Sequence, residues 1–424
     1  MIRTSTFTDF FEMSDGAYAV SLISGAVIFF GEYSSQDIHE SIRSESFCEK
    51  YNLFKLGIVT KLSMEEEQLF AEKLLDELWS SQKHSGGVVL LPTFLCNLDC
   101  EYCYQKDIKK AKRVTISEEE IAIFLDFIKQ NDIKHVTLFG GEPLMKANLK
   151  RLMPVLDYFR ENNIKCSAVT NGTEIDAYRK YLGDDCISAV QITLDGDAQH
   201  HNAFRKRKNG RGSWDEIYRN IQMLIECGVF VSVRMNVNSK NIESCTQTKV
   251  LLEKKYNNTG LFKCYMGKIS GECGDLSYSQ RIFQLNHPAL QKFPNLHTND
   301  FFPRGSFCSR TARIKSLVFA PTGIWDCWHH VGDEDYRIGS YKEVLHDDEI
   351  SLNETRDHLK QFSRQCLECK YLFICSGDCS VYNTPQTTCD KEERGRMFYD
   401  NISAKLSNCN EDSSITETSS LSES

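Results

Sequence analysis

From Val88 to Met266 the sequence alternates short β-branched runs with amphipathic helical runs, and this alternation limits the fold more than any other feature. The strand runs are Val88 to Phe94, His135 to Phe139, Cys166 to Thr170, Ala189 to Leu194, Phe230 to Val237 and Leu261 to Met266. Between them, a capping box at Ser117-Glu-Glu-Glu120 opens a helix through Gln130, and further helices are predicted over Asn148 to Glu161, after Thr173, over Trp214 to Cys227 and near Glu243 to Lys255. Strands so regularly separated by helices predict an α/β fold with a parallel sheet and right-handed crossovers.

Directly after the first strand run come Cys96, Cys100 and Cys103, in Phe94-Leu-Cys-Asn-Leu-Asp-Cys-Glu-Tyr-Cys-Tyr104. A cubane iron-sulfur cluster has four irons, so a C-x3-C-x2-C loop leaves one iron free for a further ligand. A zinc knuckle or three unrelated buried thiols are the plainer alternatives. Structural zinc takes four ligands, and no fourth thiol follows in Gln105-Lys-Asp-Ile-Lys-Lys110; Asp99 lies inside the loop, but carboxylates are minority zinc ligands.

With Tyr102 just before the third cysteine, this run resembles the radical S-adenosylmethionine (radical SAM) enzymes, in which the free iron chelates the amino and carboxylate groups of S-adenosylmethionine. The resemblance implies a partial (β/α)6 barrel and a [4Fe-4S] cluster that cleaves the cofactor. The 5′-deoxyadenosyl radical so formed would take a substrate hydrogen inside a dry, closed interior. A reductant such as flavodoxin or ferredoxin would supply the electron.

Gly140-Gly141-Glu142-Pro143 follows the second strand run, about 40 residues after the loop. Two glycines allow close backbone approach and a carboxylate can take an ammonium group. At this place the tetrad matches the family's motif for the methionine amino group, although Glu142 can equally cap a turn while backbone groups bind. Gln191-Ile-Thr-Leu-Asp-Gly196 puts Thr193 and Asp195 on one strand face, able to reach ribose hydroxyls or the carboxylate, while Asp195-Gly196 also reads as a turn. Thr170-Asn171-Gly172, Arg205, and Arg234 or Asn236 are further candidates. Gly140, Gly141, Glu142, Thr193, Asp195, Arg205 and Asn236 thus make the expected cofactor-binding set.

A second cysteine set runs Cys308, Cys327, Cys366-x2-Cys369-x5-Cys375-x3-Cys379 and Cys389. It resembles the SPASM domain, which carries auxiliary iron-sulfur clusters in peptide- and protein-modifying radical SAM enzymes. Gly323 and Cys327 are separated by three residues where the family pattern has four. The resemblance implies one cluster on Cys366, Cys369, Cys375 and Cys389 and another on Cys308, Cys327 and Cys379, its fourth position taken by Cys273 or Cys264 or left open for substrate or a non-cysteine ligand. A zinc ribbon is the rival, since thiolate sets bind either metal form. His329 and His330 are ligand or proton-carrying candidates, though adjacent loop histidines are more often simply exposed. Asp378 stands as a base candidate against its duller role as a ligand-loop carboxylate.

The chain has 424 residues, a net charge of −9 and 18 cysteines. Acids and bases are interspersed, so nucleic acid and anionic membrane are not expected partners, whereas a basic peptide is tolerated. No run approaches the ~18 apolar residues of a membrane span, and no charged leader precedes an apolar core, so a cytoplasmic location is expected. In that setting the clustered cysteines read as metal ligands. Cys48, Cys166, Cys186, Cys227, Cys245 and Cys409 read as small apolar residues.

The expected organisation is a small N-terminal α+β domain over 1–85, the barrel over 86–267, a linker over 268–302, the SPASM domain over 303–407 and a disordered Ser-, Thr- and Glu-rich tail over 408–424. In the first, Tyr18 to Phe30 reads as a hairpin around Ser24-Gly25, Gln36 to Arg43 as a short helix and Ser63 to Trp79 as a long acidic helix. Such domains engage leaders in many peptide-modifying members; simple buttressing of the barrel is the alternative. The resemblance as a whole implies a maturase that crosslinks, forms a thioether in, or epimerises a ribosomally made precursor peptide. The alternatives are a sulfatase-type formylglycine maturase and a non-catalytic iron-sulfur interaction protein.

Overall fold

The computed structural model describes residues 1–81, 87–105, 115–269, 316–344, 364–375 and 398–399. The chain divides into two compact units, one of Met1–Lys83, His287–Ala312 and Arg356–Ser424 and the other of His84–Asn286 and Arg313–Thr355.

In the second unit every predicted strand run forms a strand: β1 (Val88–Leu90), β2 (His135–Leu138), β3 (Lys165–Thr170), β4 (Ile187–Thr193), β5 (Phe230–Val237) and β6 (Phe262–Lys268). They pair parallel in chain order, with Val88 opposite Val136, Val136 opposite Cys166, Ile192 opposite Thr170 and Val233, and Val233 opposite Cys264. Because the pairing is parallel, the carboxyl ends of all six strands lie along one edge, where ligands of open α/β sheets bind. Helices α1 (Glu118–Gln130), α2 (Leu149–Glu161), α3 (Trp214–Glu226) and α4 (Ile242–Tyr256) stand where the 3.6-residue pattern puts them. The segment after Thr173 is a 3₁₀ turn, Ile175–Tyr181, instead of an α-helix. At the start of α1 the Ser117 hydroxyl accepts from the Glu120 amide at 3.2 Å and the Glu120 carboxylate accepts from the Ser117 amide at 2.8 Å.

Three more strands extend this sheet beyond β1. Leu317–Ala320 (β7) lies parallel to β1, and Gly323–Trp325 (β8) and Arg337–Gly339 (β9) follow antiparallel. The sequence reading groups these residues with the C-terminal cysteines; their own side chains explain the position they take. Leu317, Val318, Phe319 and Ala320 are all buried, and the Phe319 ring lies 5.0 Å from Phe124 and 5.1 Å from Phe127 of α1. Burying aromatic side chains of this size stabilises by about 1.5–3 kcal/mol each.

In the first unit, Thr8–Met13, Gly16–Ser21 and Val27–Phe29 form a three-stranded antiparallel sheet, whose second turn is the expected hairpin around Ser24-Gly25. Helices follow over Ser35–Ser41, Glu45–Lys50 and Met64–Ser80. Short helices at Arg364–Leu367 and Leu372–Cys375 belong to this unit as well. The predicted linker, beyond Ile269, and the predicted tail lie outside the described residues. Among the described residues no helix is long and apolar enough to cross a membrane.

Glu67 is buried on the long helix, where it accepts from Arg3 Nη2 at 2.8 Å, Thr6 Oγ1 at 2.6 Å and the Thr6 amide at 3.1 Å. Burial raises its carboxyl, but these donors outweigh it and hold the group below the ordinary 4.5. Its contribution is therefore present above pH 4.5 and lost as pH falls through the lowered value. E67Q is expected to destabilise this unit by about 1–3 kcal/mol at pH 7, with the gap to wild type narrowing in thermal melts as the pH falls below the ordinary 4.5.

Candidate active site

Two polar networks join the loop of Cys96, Cys100 and Cys103 to the carboxyl ends of the parallel strands. The first begins at Gly140-Gly141. A β-carbon on Gly140 would stand 2.6 Å from the Thr93 carbonyl oxygen, and one on Gly141 2.2 Å from that of Leu95. These glycines thus admit the backbone that leads to Cys96. The Gly141 amide donates to Thr93 O at 3.0 Å and the Glu142 amide to Leu95 O at 2.8 Å.

Glu142 is buried and turned inward. Its carboxylate accepts from the Leu144 amide at 2.9 Å, Thr170 Oγ1 at 2.6 Å and the Asn171 amide at 2.5 Å. Burial pushes this carboxyl up to about 7, against the pull of those donors. In the structure the Glu142 carboxylate caps the turn after β2. Asn171 continues the chain of contacts, with Nδ2 2.8 Å from Asn97 Oδ1 and 3.7 Å from Cys96 Sγ, and the Thr173 hydroxyl donates to Asn171 Oδ1 at 2.7 Å.

The second network centres on Tyr102. Its hydroxyl donates to Asp195 Oδ2 and accepts from Arg205 Nη1 at 2.8 Å and Asn236 Nδ2 at 3.2 Å. One donor and two lone pairs are thereby fully used. The Asn236 amide donates to Asp195 Oδ1 at 2.7 Å, and Arg234 Nε donates to Asn236 Oδ1 at 2.9 Å. Three of the expected cofactor residues, Asp195, Arg205 and Asn236, therefore meet at a residue singled out in the sequence only for its ring. The tyrosine hydroxyl, which phenylalanine would lack, was the available signal. Thr193 lies half-buried on β4, in register with Arg234 on β5.

Arg205 also fixes the loop through the backbone. Leu98–Cys100 pairs antiparallel with Arg205–Arg207, setting Arg205 opposite Cys100. Burial and then its opposition by Arg205 govern Asp195, whose carboxyl is raised overall; burial likewise raises Tyr102.

The remaining candidates are scattered. Cys264 is a core residue of β6, its thiol pushed up to about 12 by burial. Cys327 is buried in the unit of the large sheet, while Cys366 and Cys369 are half-buried in the other. Cys273, Cys308, Asp378, Cys379 and Cys389 lie outside the described residues, and of Cys375 only the helical backbone is described. His329 and His330 are half-buried: the first lies 4.8 Å from the Tyr104 ring, the second stacks on Tyr336 at 3.8 Å.

The residues present suit an iron-sulfur cluster with an organic cofactor. All three loop cysteines are unbridged thiols, and among the described residues no three Cys, His, Asp or Glu side chains converge on a single ion. Three unbridged thiols on one loop are the donor type that an iron-sulfur cluster takes. Arg205 Nε is buried without a hydrogen-bond partner, a cationic donor suited to an anionic ligand group.

The family model that matches is that of the radical SAM superfamily, over residues 90–245. Residues 90–245 are a radical SAM domain. Relatives of the chain include Fe-coproporphyrin III synthase of Methanosarcina barkeri, 26% identical over 73% of this chain and 87% of its own length. The cysteine-type anaerobic sulfatase-maturating enzyme of Clostridium perfringens is 22% identical over 67% and 85%. The antilisterial bacteriocin subtilosin biosynthesis protein AlbA of Bacillus subtilis is 24% identical over 67% and 65%. The radical SAM fold is also that of native anSMEcpe with bound AdoMet and Kp18Cys peptide (TM-score 0.57, 16% identity, 77% of this chain and 99% of that one). Streptococcus suis SuiB bound to precursor peptide SuiA matches with a TM-score of 0.51 and 16% identity over 92% of this chain and 99% of that one.

Removing the Tyr102 hydroxyl strands two buried donors and one carboxylate oxygen. Y102F is expected to cost the domain about 1–3 kcal/mol, read as a lower Tm, with retained secondary structure by circular dichroism. G141A cannot be relieved by a side-chain movement, because its β-carbon meets carbonyl oxygens. It is expected to lower retention of iron on the loop after anaerobic reconstitution, relative to a control substitution at exposed Lys129.

Proposed function

We propose that the chain is a radical SAM enzyme that modifies a ribosomally made peptide. The observation that carries this is the three-thiol loop held at the carboxyl edge of the parallel sheet by the Gly140-Gly141 approach. Cys96, Cys100 and Cys103 would hold a [4Fe-4S] cluster. Arg205, Asn236 and Asp195, with the backbone after β2, would hold S-adenosylmethionine. Bound together, these groups supply one-electron chemistry that abstracts hydrogen from a substrate.

The protein's own contribution is position and exclusion. Tyr102 fixes Arg205 and Asn236 relative to the loop, so a carboxylate meets a preset cation. Phe139 and Trp328, stacked 5.2 Å apart, put an apolar surface directly before Gly140. The bacteriocin enzyme among the relatives and the peptide-bound structures support a peptide substrate. The α+β elements of the first 83 residues are the proposed seat of its leader. An external one-electron donor of the flavodoxin or ferredoxin type would supply the electron, and Cys366, Cys369 and Cys375 would serve an auxiliary cluster with Cys389. Cys308, Cys327 and Cys379 would serve another, and cytoplasm is the proposed location.

Anaerobically reconstituted protein should bind about twelve irons per chain and release 5′-deoxyadenosine from S-adenosylmethionine when reduced. C96A, C100A and C103A should each abolish that release while keeping about eight irons. Continued 5′-deoxyadenosine formation in these variants would overturn the assignment. Similarity to the sulfatase-maturating enzyme and to Fe-coproporphyrin III synthase favours two second readings, a Cys-bearing protein segment and a porphyrin. Mass change of a short precursor peptide, formylglycine formation and a visible-band shift on porphyrin addition separate the three.

A further inference from the structure

Asp9 and Phe11 lie two residues apart on the first strand of the N-terminal sheet, Thr8–Met13, so the two-residue period puts them on one face, and Phe7 stands in the turn that leads into the strand. All three meet the C-terminal cysteine segment or its continuation. The Phe7 ring lies edge-on to Phe373 at 5.1 Å, and the Phe11 ring edge-on to Tyr399 at 5.9 Å. Between them, Asp9 takes Lys370 Nζ on Oδ1 at 2.7 Å and the Tyr371 hydroxyl on Oδ2 at 3.2 Å. Cys366, Leu367 and Cys369 are half-buried against the same apolar cluster, in which Phe7, Leu372 and Phe373 are buried.

The segment that bears the thiols has little structure of its own. Two four-residue helices, Arg364–Leu367 and Leu372–Cys375, are joined by single backbone bonds from the Cys369 amide to Cys366 O and from the Leu372 amide to Cys369 O, each 3.0 Å. Helices this short do not persist alone. Their geometry is therefore set by what they pack on.

We propose that Asp9, flanked by Phe7 and Phe11, is a positioning residue for Cys366 and Cys369: the N-terminal sheet acts as the mould in which this auxiliary-cluster pair is held. This rests on the reading of those two cysteines as iron-sulfur ligands. A leader seated on the N-terminal unit would then touch the scaffold of a redox centre, beyond simply tethering the substrate.

The test uses the full chain, reconstituted anaerobically, with iron, sulfide and the low-temperature electron paramagnetic resonance spectrum of the reduced protein as readouts. C366A/C369A first defines the irons that depend on the pair, expected to be about four per chain. D9K and K370D are each expected to lose the same irons and the same spectral component, and D9K/K370D to regain them. D9N keeps the shape of Asp9 and serves if charge reversal unfolds the unit; it is expected to release those irons to a chelator about tenfold faster than wild type. Loss of iron in C366A/C369A with full retention and wild-type release in D9K, K370D and D9N overturns the positioning role alone. A double swap that folds but stays without these irons also overturns it. Full iron in C366A/C369A overturns the ligand reading and the proposal with it.

Discussion

The backbone after β2 passes so close to the backbone after β1 that no side chain fits between them at Gly140 or Gly141. Everything built on the cysteine loop depends on that approach. It lets the Gly141 and Glu142 amides reach Thr93 and Leu95, which sets the path into Cys96 before any metal is considered. Glu142 then spans to β3, since Thr170 and Asn171 both donate to it, and Asn171 returns the contact to Asn97 and Cys96. Three successive strand ends are tied through one residue, whose amide reaches Leu95 and whose carboxylate takes Thr170 and Asn171. A buried carboxylate with three donors is tolerable where one with none would be costly, and its donors also orient the backbone amide beside the loop.

The Tyr102 network does for charge what the glycine approach does for shape. Arg205 carries a positive charge into the interior and is balanced by Asp195 through the phenol between them. Its antiparallel pairing opposite Cys100 also ties the residue that carries the cation to the cysteine loop. A buried ion pair of this kind is weak evidence for stability, because desolvation consumes much of the attraction. Its placement at the loop, with one donor of Arg205 left over, fits a binding role better than a purely structural one.

Much of the fold was legible because local signals agreed with the tertiary outcome. The Ser117-to-Glu120 capping box, the four helical stripes and the six β-branched runs each predicted an element that formed. The strands that escaped notice share a cause. Leu317–Ala320 is a four-residue apolar run that looks like any buried segment until Phe124 and Phe127 are known to face it. Thr8–Met13 lacks clean alternation, because Phe10 packs on His39 on one face while Phe11 packs on Tyr399 on the other. At the site, strand-end logic pointed to Asp195 and Asn236, which the structure brings together with Arg205. It could not find that Tyr102 joins them, since that contact links positions 93 to 134 residues apart.

Distance in sequence also distinguishes the two kinds of thiol site. Cys96, Cys100 and Cys103 are seated by contacts drawn from residues 93 to 236, within the unit of the large sheet. Cys366 and Cys369 are seated on a strand 361 residues away from the lysine that anchors them. Loop closure costs only ~(3/2)RT ln n, so the span itself is a modest thermodynamic burden. Its kinetic meaning is greater, because the mould for the second pair cannot close until both arms of the first unit exist. The chain thus separates a thiol loop that its own sheet can complete from one whose order reports that the N-terminal and C-terminal arms have met.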